Sequence, residues 1–116
     1  MALDIICGHI NKGAVEEVAH FDITHNASGV ASHVKVLDDE GVYVSLFDVL
    51  WGQKIMTRDD FLHYAIRLRA ELGRMLMTSQ FRDDDISNGV LLMSVLVKMI
   101  KSVQKNKEIE IILFHE

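Results

Sequence analysis

The sequence predicts an α+β fold: a three-stranded, mostly antiparallel sheet, made of an N-terminal hairpin and the C-terminal strand and covered by three to four helices. Three features predict it. Residues 3–7 and 18–24 have the β-branched and alternating character of strands, residues 58–76 and 87–104 carry apolar stripes at helical spacing, and residues 108–114 alternate again. A hairpin alone is marginal in water, so the last strand is expected to dock beside it. With 116 residues, 49% hydrophobic and 25% charged, the chain has the size and composition of one globular domain, residues 1–116.

Each element has a local reason. In 18–24, Ala19, Phe21 and Ile23 share one face, and Val18, His20, Asp22 and Thr24 the other. Asn11-Lys12-Gly13 is turn chemistry, and a somewhat long loop over 8–17 is expected to join the first two strands. Past Ile23 a helix is expected over 27–36, with Val30, Val34 and Leu37 at helical spacing and Thr24 or Asn26 as N-cap. Residues 38–41 close it. Residues 46–51 read as a short helix, whereas 42–45 fit either a strand or a helix, and periodicity does not decide between them.

Thr57-Arg58-Asp59-Asp60 opens the clearest helix. Thr57 is its N-cap, Phe61, Ala65, Leu68, Leu72 and Met75 form its buried stripe, and Arg58, Arg67, Arg69 and Arg74 are expected to be wet. Asp85 or Ser87 is expected to cap the next helix, which reaches about Gln104. Its predicted buried stripe is Val90, Met93, Val97, Met99 and Ile100, and Asn106 is expected in the left-handed position that ends it. In the closing strand Ile109, Ile111 and Leu113 alternate with Glu108, Glu110 and Ile112, which turns the glutamates outward.

Charge and cysteine content narrow the function classes. A net charge of -5 argues against a sequence-independent nucleic-acid binder, because that mode needs a cationic face to displace counterions. The single cysteine, Cys7, permits no internal disulfide and points to the cytoplasm. The first residues have no cationic region and an early Asp4, so no secretory signal is expected. The longest apolar run, 90–97, is far short of the ~20 residues that cross a bilayer, so no membrane span is expected. Met75, Met77, Met93, Met99 and Trp51 supply more adaptable apolar surface than one thin sheet covers, and a homo-oligomer is expected.

No pattern implies a cofactor or a catalytic constellation. The six histidines lie at no common metal-site spacing, with no HExxH and no CxxC, so no metal site is expected. Cys7, in an apolar β segment, reads as buried packing rather than as a nucleophile. Asp83-Asp84-Asp85 lacks the alternation and closing glutamate of a calcium loop and reads as a solvated loop and helix start. The most informative cluster is Thr24-His25-Asn26-Ala27-Ser28, where a strand runs into a helix N-terminus. Free backbone N–H groups and a partial positive charge are expected there, and with His25, Ser28 and Lys12 as further donors they can hold an anion. A plain capping motif braced by His25 is the alternative. Trp51, beside Gly52-Gln53-Lys54, is the second candidate, as ligand contact, core plug or interface anchor.

The chain resembles a loose family of short phage- and prophage-encoded proteins of no assigned function. The likeness rests on the strand leading into Ile23-Thr24-His25-Asn26, the Gly41-Val42-Tyr43 to Leu50-Trp51 segment, the two amphipathic helices, and the closing Glu108-Ile109-Glu110-Ile111. The resemblance implies a small, non-enzymatic accessory protein, active in counter-defence. Its partner would be an anionic small molecule such as a signalling nucleotide, or a host protein that it occludes.

Overall fold

The structure is a computed structural model and describes residues 2–52, 54–78 and 80–116. Its elements are β1 (Leu3–Asn11), β2 (Ala14–Ile23), α1 (Ala27–Ala31), β3 (Lys35–Leu37), β4 (Tyr43–Ser45), α2 (Leu46–Trp51), β5 (Ile55–Thr57), α3 (Arg58–Met77), α4 (Asp83–Lys105) and β6 (Ile111–His115). The α+β class is as predicted, and β6 does dock antiparallel beside β1. The sheet has four strands rather than three, in the order β2-β1-β6-β5, and a separate two-stranded ribbon is formed by β3 and β4. The unforeseen strand, β5, pairs along Ile55↔Leu113, Met56↔Ile112 and Thr57↔Ile111.

The expected loop over 8–17 does not exist. Strands β1 and β2 run to a two-residue turn in which Lys12 and Gly13 have φ of 53° and 82°, the type I′ geometry whose twist matches that of paired strands. Near the turn, Gly8 pairs with Glu17 and Asn11 with Ala14; beyond it, Cys7 pairs with Ala19 and Leu3 with Ile23. One extra residue, Val18, is therefore absorbed in a bulge. Because side chains alternate with period two, that single residue resets which face each side chain takes. It brings Leu3, Ile5 and Cys7 opposite Ile23, Phe21 and Ala19 on the helix-covered face.

The helices differ from the expectation in extent and phase. Helix α1 stops after five residues, and Lys35–Leu37 is a strand, which leaves Leu37 exposed while Val30 and Val34 are buried. The undecided 42–45 segment is largely strand β4, and α2 begins behind it with a capping box: the Asp48 N–H donates to Ser45 Oγ at 3.0 Å and the Ser45 N–H to Asp48 Oδ2 at 3.3 Å. Helix α3 follows the sequence reading, with Thr57 Oγ1 accepting from the Asp60 N–H and the predicted five-residue stripe buried. Helix α4 starts earlier than expected: Arg82 is its N-cap and the three aspartates form its first turn. Its buried stripe is Gly89, Leu92, Leu96, Met99, Ile100 and Val103, so Val90 points to water. Asn106 has φ of -99° rather than a left-handed conformation. The closing strand starts at Ile111 and not at 108; Ile109 is buried and Glu108 and Glu110 are exposed as expected, but within β6 the buried face is Ile112 and Phe114 in place of Ile111 and Leu113.

Helices α3 and α4 pack against each other and against the four-stranded sheet, α3 on β5 and β6 and α4 on β2, while α1 and α2 contact α4 and α3 and share the same buried core. By length and composition alone α4 is long and apolar enough to cross a membrane, with an 18-residue window of mean hydropathy 1.5, which counting uninterrupted apolar runs did not register. Here it contacts α1, α3 and β2 and carries Lys98 and Lys101 together with Val90 and Leu91 on its exposed side. The other face of the sheet lies open: Asp4, His20, Asp22 and His115 are exposed on it, and Ile6 and Leu113 are half-buried.

Candidate functional site

At the strand-to-helix corner 24–28, two of the backbone amides expected to be free, those of Ala27 and Ser28, are engaged. The Ala27 N–H donates to the Thr24 carbonyl at 3.1 Å and the Ser28 N–H to the His25 carbonyl at 3.3 Å, and Ser28 Oγ donates to that same carbonyl at 2.8 Å. Asn26 occupies the N-cap position in a helical conformation, and its side chain makes no cap bond. A helix of five residues also sums too few peptide dipoles to hold an anion firmly. The adjoining crevice, about 60 Å³, is lined by Ile23, Thr24 and Ala27 with Leu91, Leu92 and Val95 of α4 and is mostly apolar. Thr24, His25 and Asn26 are exposed, and Ser28 is half-buried. Lys12 cannot join them, because it sits at the hairpin tip, nine residues of ladder or roughly 30 Å from Ile23.

Trp51 stands at a more promising place. It closes α2, where its ring stacks on Phe47 with centroids 5.0 Å apart and planes 8° from parallel, the contact that i,i+4 spacing makes on a helix. Its indole Nε1 is buried without a hydrogen-bond partner among the described residues. Beside it opens a cleft of about 410 Å³, lined by Leu3, Trp51, Lys54, Phe114, His115 and Glu116. The sheet assembles this cleft: the Phe114 N–H donates to the Lys54 carbonyl at 2.9 Å, which ties the segment after α2 to β6. Sequence reading missed Lys54 and His115, since only long-range strand pairing brings residues 51–54 and 114–116 together.

Other chemically capable groups are occupied structurally. His9 Nδ1 lies 3.1 Å from the Glu108 carbonyl and its Nε2 3.3 Å from Glu16 Oε2. The Asn11 side-chain amide, donating to Glu16 at 2.9 Å, and secondarily His9 hold the Glu16 carboxyl below the usual range. Asp39, in the β3–β4 loop, meets His63 at 3.3 Å and Arg67 at 3.7 Å and so clasps the ribbon to α3.

Cys7 is fully buried on the core face of β1, and that burial pushes its thiol up to about 12 from an ordinary 9.0. A thiol that stays protonated and shielded from solvent is no nucleophile. The sign of the linkage follows: between about pH 9 and 12 the folded chain keeps a proton that the unfolded chain releases, so stability falls as pH rises through that window. The expected slope is about 1.4 kcal/mol per pH unit at most, measured by urea unfolding from pH 8 to 10.5. A Cys7→Ala chain should lack that component, and identical slopes for the two chains would refute the assignment.

Compared with protein-family models, curated proteins and solved structures, the chain finds no match.

Proposed function

We propose that the chain is a small, non-catalytic accessory protein that binds an anionic small molecule bearing an aromatic group, of the nucleotide kind, in the Trp51–Lys54 cleft. The observation that carries this reading is the composition of that cleft. Its volume of about 410 Å³ lies within the roughly 300–1,000 Å³ that small-molecule sites occupy. Leu3 and Phe114 give it apolar surface, Trp51 gives it an aromatic plane, and Lys54 and His115 supply the cationic and hydrogen-bonding groups that an anion needs. Glu116 is the only carboxylate side chain among the six lining residues, so the charged end of a ligand belongs on the Lys54 side. The corner at 24–28, with its Ala27 and Ser28 amides engaged, contributes no contact in this proposal. The accessory role and the choice of a signalling nucleotide rest on the resemblance to phage-encoded proteins.

Calorimetric titration with a panel of cyclic nucleotides and ADP-ribose is the test. At least one ligand is expected to bind to wild type and to weaken about tenfold or more in Trp51→Ala, since base–aromatic stacking contributes about 1–3 kcal/mol. Lys54 is exposed, so Lys54→Ala keeps the fold and should weaken the same ligand while flattening its salt dependence. No heat at high micromolar ligand, with an unchanged melting temperature, overturns the reading.

A further inference from the structure

The open face of the sheet carries a side-chain cluster that the cleft does not use. Asp4 of β1 stands directly opposite Asp22 of β2, and His20 lies two residues from Asp22 on the same face. His20 Nε2 is 3.5 Å from Asp4 Oδ1 and 3.5 Å from Asp22 Oδ1, and one ligand atom from each of the three lies within 4.8 Å of the others. On the third strand His115 pairs with Asp4, so a second imidazole borders the cluster.

We infer that Asp4, His20 and Asp22 form a binding site for a divalent transition-metal ion, with zinc or nickel as the fitting class. Three physical points carry it. Bonds of about 2.0–2.2 Å to a tetrahedral ion set its ligand atoms about 3.3–3.5 Å apart, which is the spacing that His20 already holds to both carboxylates. Like charges directly opposite in a ladder repel, so the Asp4–Asp22 pair is unfavourable until a cation reverses the interaction. The three ligands sit on two paired strands whose register is fixed by a tight turn and a bulge, so closing on an ion costs little ordering. An imidazole with two carboxylates favours zinc or nickel over magnesium, which prefers oxygen ligands and retains its water. All three side chains are substantially exposed, so solvent completes the coordination shell.

None of the three proposed ligands lines the ligand cleft, and His115 alone borders both places. Calorimetry and thermal melts of the full chain with zinc chloride, nickel chloride and magnesium chloride test it. One equivalent of zinc or nickel is expected to bind and raise the melting temperature, with magnesium ineffective. His20→Ala and Asp4→Asn should each weaken zinc at least roughly tenfold, while His33→Ala, a histidine elsewhere on the surface, should leave it unchanged. Asp4→Asn, which removes the repulsion, should leave the metal-free melting temperature unchanged or higher, so a folding defect cannot mimic loss of binding. The inference is overturned if zinc fails to bind stoichiometrically, or if His33→Ala weakens it as much as His20→Ala. A metal-insensitive melting temperature would also overturn it, leaving His20 as an imidazolium bridge between two aspartates.

Discussion

Gly8→Ala is expected to destabilise the chain by about 3–5 kcal/mol, a large part of the roughly 5–15 kcal/mol that holds a domain of this size. A Cβ added at Gly8 would meet the Glu16 carbonyl oxygen at 1.9 Å and its carbon at 2.9 Å. Both are backbone atoms and cannot rotate aside as a side chain can, so the strand itself must move. The approach is this close because the bulge at Val18 folds the Glu16 peptide against β1, and Gly8 is also engaged on its other side, where its carbonyl accepts from the Glu110 N–H at 2.8 Å. Relieving the clash therefore disturbs both β1–β2 and β1–β6 pairing. Gly13→Ala is the comparison. Its φ is 82° with nothing within 4 Å, so only conformational strain is added, about 1 kcal/mol. Urea unfolding of both variants separates the two effects, and a Gly8→Ala midpoint no lower than that of Gly13→Ala would show that the Glu16 backbone does not crowd this position.

The same bulge explains what could and could not be read from the sequence. Helix α3 was legible because it is specified within a few residues, by Thr57 as cap and by apolar spacing behind it, whereas α2 was read from apolar spacing alone and its Ser45 cap was not recognised. The two strands of the hairpin were legible in part, 3–7 by β-branched residues and 18–24 by alternation, while their paired halves toward the turn were read as loop. Their register was not: continuing the pairing Asn11↔Ala14 without a bulge would set Asp4 against Phe21, whereas the extra residue at Val18 sets it against Asp22. No local property of Val18 announces this; the bulge aligns the apolar positions of β1 and β2 over a common core. Strand β5 was missed for a related reason. Three residues hold no periodicity, and Ile55–Thr57 is a strand only because β6 offers its edge. In β6, Ile111, Ile112, Leu113 and Phe114 are all apolar, so the sequence does not say which alternate set faces the helices. Of the candidate site, a lone tryptophan could be singled out beside Lys54, but Leu3 and residues Phe114, His115 and Glu116 reach the cleft from the two ends of the chain.

Arg58→Ala is expected to cost about 3 kcal/mol, although by sequence it belonged to the wet face of α3. The residue is the first of α3, and its backbone N–H donates to the Glu110 carbonyl at 2.9 Å, which starts the helix at the root of β6. From there the half-buried guanidinium reaches the end of α4: Nη1 donates to the Asn106 carbonyl at 2.9 Å and the Ile109 carbonyl at 3.0 Å, and Nη2 lies 3.4 Å from the Gln104 carbonyl. The last carbonyls of a helix have no partner within it and carry partial negative charge, so a cation there satisfies both the hydrogen-bonding and the dipole requirement. This is also why Asn106 needs no left-handed conformation to close the helix. Hydrogen bonds with one charged partner contribute roughly 1.5–3 kcal/mol each when lost singly, and less in sum because they share one side chain. Lysine keeps the charge but not the planar fork, so Arg58→Lys should recover only part of the loss. Thermal and urea unfolding of the two variants decide the matter. Equal stability of Arg58→Lys and wild type would mean that charge alone acts at this helix end, and equal stability of Arg58→Ala and wild type would mean that the three carbonyls are satisfied by water.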